Sequence, residues 1–149
     1  MRCHHFDARR CRSCTLMGVA YDDQTARKDR SVRAALALPD AVWSLPQHSA
    51  ESGFRNKAKF VVGGRAGAVT LGILDAQQTG VDIRDCGLLE PPLAALMQPL
   101  AQTLDALEIE PYDVPRRRGE AKYVIATTAP DGTAMVRFVL RSDRHVGAL

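Results

Sequence analysis

Three cysteines crowd the start of this 149-residue chain, at Cys3, Cys11 and Cys14, and a fourth, Cys86, stands alone far downstream. The pattern is C-x7-C-x2-C, a long gap, then a single cysteine. Four soft donors, three clustered and one remote, are what a tetrahedral sulfur site or an iron–sulfur cluster requires. The Cys11-Arg-Ser-Cys14 knuckle alone says little, because zinc ribbons, redox pairs and iron–sulfur loops all use it. No strand precedes it and no helix clearly follows it, which removes the usual setting of a redox pair. Zinc sites usually add a second knuckle or closely spaced histidines. Here Cys86 has no companion, and His4 and His5 read as solvated loop residues or as a replacement ligand. Spacing leaves iron–sulfur and zinc both open, beside a reading in which Cys86 is a core residue.

Such ligands need a folded frame. Apolar residues make up 46% and charged residues 25%, the balance of a globular domain rather than a disordered chain. Aromatics are only 5%, so the core must rest on Leu, Val, Ile and Ala. No stretch reaches the length needed to span a bilayer, and no secretory signal is visible. The expected compartment is therefore the cytoplasm, where thiols stay reduced and four cysteines favour metal over disulfides.

Residues 1–20 carry little secondary-structure signal and read as a loop around a metal centre. Asp22 or Asp23 is placed to cap a helix over 24–38, with Pro39 ending it. The stretch 40–53 reads as a connector holding a buried tryptophan, Trp43. Period two over 54–62 puts Phe54, Asn56, Ala58, Phe60 and Val62 on one strand face and Arg55, Lys57 and Lys59 on the other. Gly63, Gly64 and Gly67 mark a turn before a strand over 69–74, and a short strand over 81–84 leads into Cys86. Pro91 and Pro92 suit the first turn of a helix carrying Leu93, Leu96, Met97, Leu100, Leu104 and Leu107, with a kink or break expected near Gln98 because of Pro99. Strands over 122–128 and 133–141 flank the turn Ala129-Pro-Asp-Gly132, with Ala134, Val136, Phe138 and Leu140 inward and Arg137 and Arg141 outward. This order predicts an α+β fold: a mostly antiparallel sheet, two main helices packed on one face and a cysteine-rich N-terminal loop. The net charge of +3 is modest, but the strand cations and the run Arg116–Arg117–Arg118 are local clusters suited to an anionic partner.

The N-terminal cysteine pattern, Gly53-Phe-Arg-Asn-Lys-Ala-Lys59, Asp85-Cys86, Arg117-Arg-Gly-Glu-Ala-Lys-Tyr123 and Arg137-Phe-Val-Leu-Arg-Ser142 together resemble bacterial 23S rRNA (uracil-C5)-methyltransferases of the RlmC (RumB) type. The resemblance runs in order along nearly the whole chain. It implies that Cys3, Cys11, Cys14 and Cys86 hold a [4Fe-4S] cluster, with 23S rRNA as partner and no membrane. It implies that residues 1–20 form the cluster loop and 21–149 an RNA-binding central domain completing the cluster site. Arg55, Lys57, Lys59, Arg116, Arg117, Arg118, Lys122, Arg137 and Arg141 are then the expected RNA contacts. The family's glycine-rich S-adenosylmethionine loop, Asp-Pro-Pro-Arg-like motif and Ser-Cys-Asn-like segment have no counterpart among these residues. The expectation is an iron–sulfur, RNA-binding N-terminal portion without catalytic residues, which binds S-adenosylmethionine only with a separate catalytic domain or chain. The contrasting expectation is a zinc-stabilised structural or regulatory module that binds no RNA.

Overall fold

A computed structural model describes residues 2–149; Met1 lies outside the described residues. The helices are α1 (His4–Asp7), α2 (Tyr21–Leu36) and α3 (Pro91–Ala106), with a short 3-10 turn at Asp40–Val42. The strands are β1 (Lys57–Arg65), β2 (Ala68–Leu74), β3 (Gly80–Asp82), β4 (Ala121–Thr128) and β5 (Ala134–Leu140). They form one sheet in the order β3-β2-β1-β4-β5, antiparallel throughout. The result is an α+β fold dominated by an antiparallel sheet.

Alternation sorts the side chains to the two faces of the sheet. Ala58, Phe60 and Val62 of β1 are buried while Lys57 and Lys59 are exposed. Register carries the inner face across, with Val62 opposite Leu71 and Phe60 opposite Val124. Leu93, Met97, Ala101 and Leu104, three or four residues apart on α3, are fully buried as one apolar stripe belonging to the same core cluster. Polar ties fix the helix to the sheet. The Val69 N–H donates to the Asp105 carboxylate (2.8 Å), and the Thr128 hydroxyl bonds the Glu90 carboxylate at the N-cap of α3. By contrast, α2 contributes no buried residue.

Several boundaries differ from the sequence reading, each for a local reason. The cysteine segment is not all loop, since α1 makes one helical turn between Cys3 and Cys11. The α2 helix starts at Tyr21, so Asp22 and Asp23 sit inside its first turn, where they favour the dipole without capping. It ends before Pro39, because Ala37 turns left-handed (φ 49°) and its N–H donates to Arg33 O. Trp43 is half-buried rather than enclosed, with the Arg33 guanidinium 4.8 Å from its ring centre. Phe54 and Arg55 precede β1, and Phe54 is 48% exposed. Gly63 and Gly64 lie within β1, and the turn is at 66–67. A Cβ on Gly63 would sit 2.6 Å from Gly80 Cα, so close approach of β3, not a turn, is what requires glycine there. The α3 helix runs through Pro99 without a break, its buried stripe overriding the missing N–H. In β5, Ala134 is exposed, while Val136, Phe138 and Leu140 pack against the core as expected.

Truncating Leu71 or Leu104 to Ala should cost about 2–5 kcal/mol in denaturant unfolding, whereas Val32→Ala on α2 should change stability by no more than about 0.5 kcal/mol. A pH dependence follows from Glu120, a buried residue whose carboxylate accepts from the Ser142 N–H and hydroxyl. Burial alone would raise its pKa, but the Ser142 donors, with Arg141 and Arg144 nearby, hold it below the usual glutamate value. A carboxyl depressed on folding stabilises above its unfolded pKa, and that contribution fades as pH falls through the folded value. Glu120→Gln should therefore flatten the loss of thermal stability below the ordinary glutamate range.

Candidate metal centre and basic face

The N-terminal arm is coiled by its own backbone. The Asp7 N–H donates to Cys3 O (3.0 Å), and the N–H groups of Arg10 and Cys11 both donate to His5 O (2.9 and 3.1 Å). Cys86 lies in a second tight turn, its N–H donating to Ile83 O and its carbonyl accepting from Leu89 N–H. That turn is held by a short pairing with the residues before β1. Gly53 N–H donates to Gly87 O (2.9 Å), Arg55 N–H to Leu88 O (2.8 Å) and Glu90 N–H to Arg55 O (3.1 Å).

The fold brings the four thiols into one neighbourhood. All are half-buried and free of disulfides, and Cys11 and Cys86 pack against the core. Burial pushes the Cys14 thiol up, and the nearby Cys86, Cys11 and Cys3 thiols push it further, while Arg55 works in the opposite direction. Among the described residues, the group of three or more donors that all lie within 4.8 Å of one another is instead His4, His5 and Asp85. This small His/Asp cluster has the donor chemistry of a metal site. His5 Nε2 lies 2.6 Å and His4 Nε2 3.1 Å from the two Asp85 oxygens. His5 is thus not the solvated loop residue expected of it; it is 4% exposed. Sequence reasoning named Asp85 only within the Asp85-Cys86 motif and missed its pairing with His5 and the burial of His5.

The basic residues divide into three places. Register sets Lys59 opposite Ile125 and Ile125 opposite Arg137, so Lys59 and Arg137 share one row of the sheet face away from the core. Lys57 lies on that same face, and Lys59 Nζ sits 3.9 Å from the Tyr123 ring centre. Arg55 is not with them. Outside β1, it joins Cys14, Lys28, Tyr21 and Phe54 around a cleft of about 440 Å³. Arg116, Arg117 and Arg118 lie exposed on the loop before β4, where Arg116 pairs with Asp113 (3.1 Å). Arg141 lies beyond β5 and donates to Arg117 O (3.3 Å), so it joins this loop rather than the row of Arg137. Lys122 stands over the Tyr112 ring (4.8 Å).

No family model matches the chain. Whole-protein comparison does find relatives. The chain is 44% identical over 144 residues to the 23S rRNA (uracil(747)-C(5))-methyltransferase RlmC of Halothiobacillus neapolitanus, covering 96% of this chain and 38% of that protein. Against RlmC of Shigella flexneri and of Escherichia coli it is 38% identical over 151 residues, covering all of this chain and 40% of each relative. The chain matches the RlmC-type family. It spans about two fifths of the length of these relatives. Because the Shigella and Escherichia matches cover the whole chain, they take in all four cysteines and the three groups of basic residues. Among solved structures, the Pyrococcus abyssi tRNA (uracil-54, C5)-methyltransferase in complex with S-adenosyl-L-homocysteine shares the fold, with TM-score 0.67 over 89% of this chain and 32% of that one at 20% identity. No helix among the described residues is long and apolar enough to cross a membrane.

Proposed function

We propose that this chain is the iron–sulfur, RNA-binding N-terminal portion of an S-adenosylmethionine-dependent 23S rRNA uridine-C5 methyltransferase. The observation that carries the reading is similarity to RlmC along the entire chain, which takes in all four cysteines, with Cys3, Cys11 and Cys86 each near enough to act on Cys14. Cys3, Cys11, Cys14 and Cys86 would hold a [4Fe-4S] cluster, with residues 1–20 as its loop and 21–149 completing the site. When bound, the cluster supplies a covalent cross-link between the N-terminal arm and the turn after β3.

The RNA contacts are assigned to the basic side chains. Lys57, Lys59 and Arg137 on the open sheet face position phosphates, and Arg116, Arg117, Arg118, Lys122 and Arg141 extend that surface along the loop before β4. Arg55 and the exposed Phe54 flank the cleft beside Cys14, a pairing of cation and ring that suits an unpaired nucleotide. Methylation at C5 needs a thiolate to attack C6 and a base to remove the C5 proton. With all four cysteines committed as ligands, both groups and the S-adenosylmethionine site fall to a catalytic domain or chain outside these residues.

Anaerobic purification followed by metal and sulfide analysis should find about four irons and about four sulfides per chain; a colourless protein with stoichiometric zinc would refute the cluster and favour the zinc module. Affinity for 23S rRNA fragments should fall steeply with salt, and replacing Lys57, Lys59 and Arg137 together by Ala should lower the slope of log K against log salt by about 2–3. An unchanged slope would overturn the RNA assignment to this face. Methyl transfer by the purified chain alone would overturn the catalytic division.

A further inference from the structure

His5 is tied at both ends. Its carbonyl accepts from the backbone of Arg10 and Cys11, which sets the bend of the cysteine arm. Its ring reaches eighty positions along the chain to Asp85, the residue before Cys86, at 2.6 Å. A carboxylate can only accept, so His5 Nε2 carries the proton and donates it. The anchoring is one-sided: the His5 side chain is 5% exposed and that of Asp85 64%. The surrounding packing fixes the ring, and the ring in turn holds the outward carboxylate. His5 Nδ1 is buried without a partner, so the bond through Nε2 is what the side chain contributes. His4 braces the other Asp85 oxygen from a position 67% exposed.

We propose that His5 and Asp85 form a clasp that delivers Cys86 to Cys3, Cys11 and Cys14, with His5 a positioning residue and not a ligand. The proposal rests on the cluster reading above, and it assigns the two residues a role that the ligand set alone does not. Cys86 packs against the core on a turn whose other hydrogen bonds run to residues 53–55, from Ile83 N–H to Leu71 O and from Arg84 to Gln98, and none of these bonds reaches the N-terminal arm. The clasp is a direct side-chain bond from that arm to the residue beside Cys86. Groups that orient metal-binding segments from outside the ligand set typically change metal affinity by about 10–100-fold when removed.

The test uses the full chain, reconstituted anaerobically with iron and sulfide. Iron release to a ferrous chelator and loss of visible absorption are followed for His5→Ala, Asp85→Ala, His5→Gln and His4→Ala, with Cys86→Ser as reference. Release should quicken about 10-fold in His5→Ala and Asp85→Ala, in the direction of Cys86→Ser. His5→Gln should restore slow release, because its Nε2 can donate to Asp85, and His4→Ala should stay within about 2-fold of wild type by the weakness of exposed pairs. If His5→Ala does not fold, Asp85→Ala carries the test, since it alters a solvent-facing side chain. A second readout needs no metal. In the metal-free chain, a short bis-alkylating thiol reagent should link Cys86 to the N-terminal cysteines several-fold less in both alanine variants. Iron retention and cross-linking equal to wild type in those variants would overturn the clasp. Wild type that takes up no iron would overturn the cluster reading, and the cross-linking yield would still decide the clasp.

Discussion

The pairing of residues 53–55 with 87–90 is the contact on which the rest of the site depends. Three backbone hydrogen bonds, each contributing about 1 kcal/mol net, join the entry to β1 with the turn that bears Cys86. The pairing also sets where α3 begins, since Glu90 N–H donates to Arg55 O while Glu90 occupies the N-cap position of the helix whose first residues are Pro91 and Pro92. Proline there leaves no helical N–H wanting and holds φ near the helical value. From that fixed start, the buried stripe of α3 is laid against the inner face of the sheet. Core and cysteine turn are therefore two sides of one junction.

The two faces of the sheet meet different demands. On the inner face, Phe60, Val62, Leu71 and Val124 are removed from water with α3, the dominant favourable term in the fold. On the outer face, Lys57, Lys59 and Arg137 remain solvated, because burying an unpaired cation would cost far more than any contact could return. Antiparallel register then does what no single strand can: it aligns Lys59 of β1 with Arg137 of β5 across Ile125. Charges distant in the chain become one surface.

Electrostatics at the cysteine site point the same way. Burial, and then the neighbouring Cys86, Cys11 and Cys3 thiols, push the Cys14 thiol above its ordinary range. Arg55 relieves part of that repulsion from its place beside the cleft. Displaced from the strand face, Arg55 lines the cleft that also holds Cys14. His5, buried and bonded to Asp85, ties the N-terminal arm to the residue before Cys86.

Much of this was legible along the chain. Alternation over Ala58, Phe60 and Val62 and the spacing of Leu93, Met97 and Leu104 specify buried faces, because side-chain direction follows from backbone period alone. The turn at 129–132 and the cysteine spacing are likewise local. What remained hidden required partners distant in sequence. Gly63 reads as a turn until β3 is seen to cross within reach of its missing Cβ, and Pro99 reads as a break until the core holds the helix through it. Arg55 reads as a strand cation until the 87–90 pairing draws it off β1, and His5 as a solvent-facing loop residue until Asp85 meets it from the turn after β3. The sequence by itself determined which residues face inward and which could ligate, since those follow from period and side-chain chemistry. Only the tertiary structure decided which of them meet, because proximity between residues eighty positions apart is set by packing and pairing that no local pattern encodes.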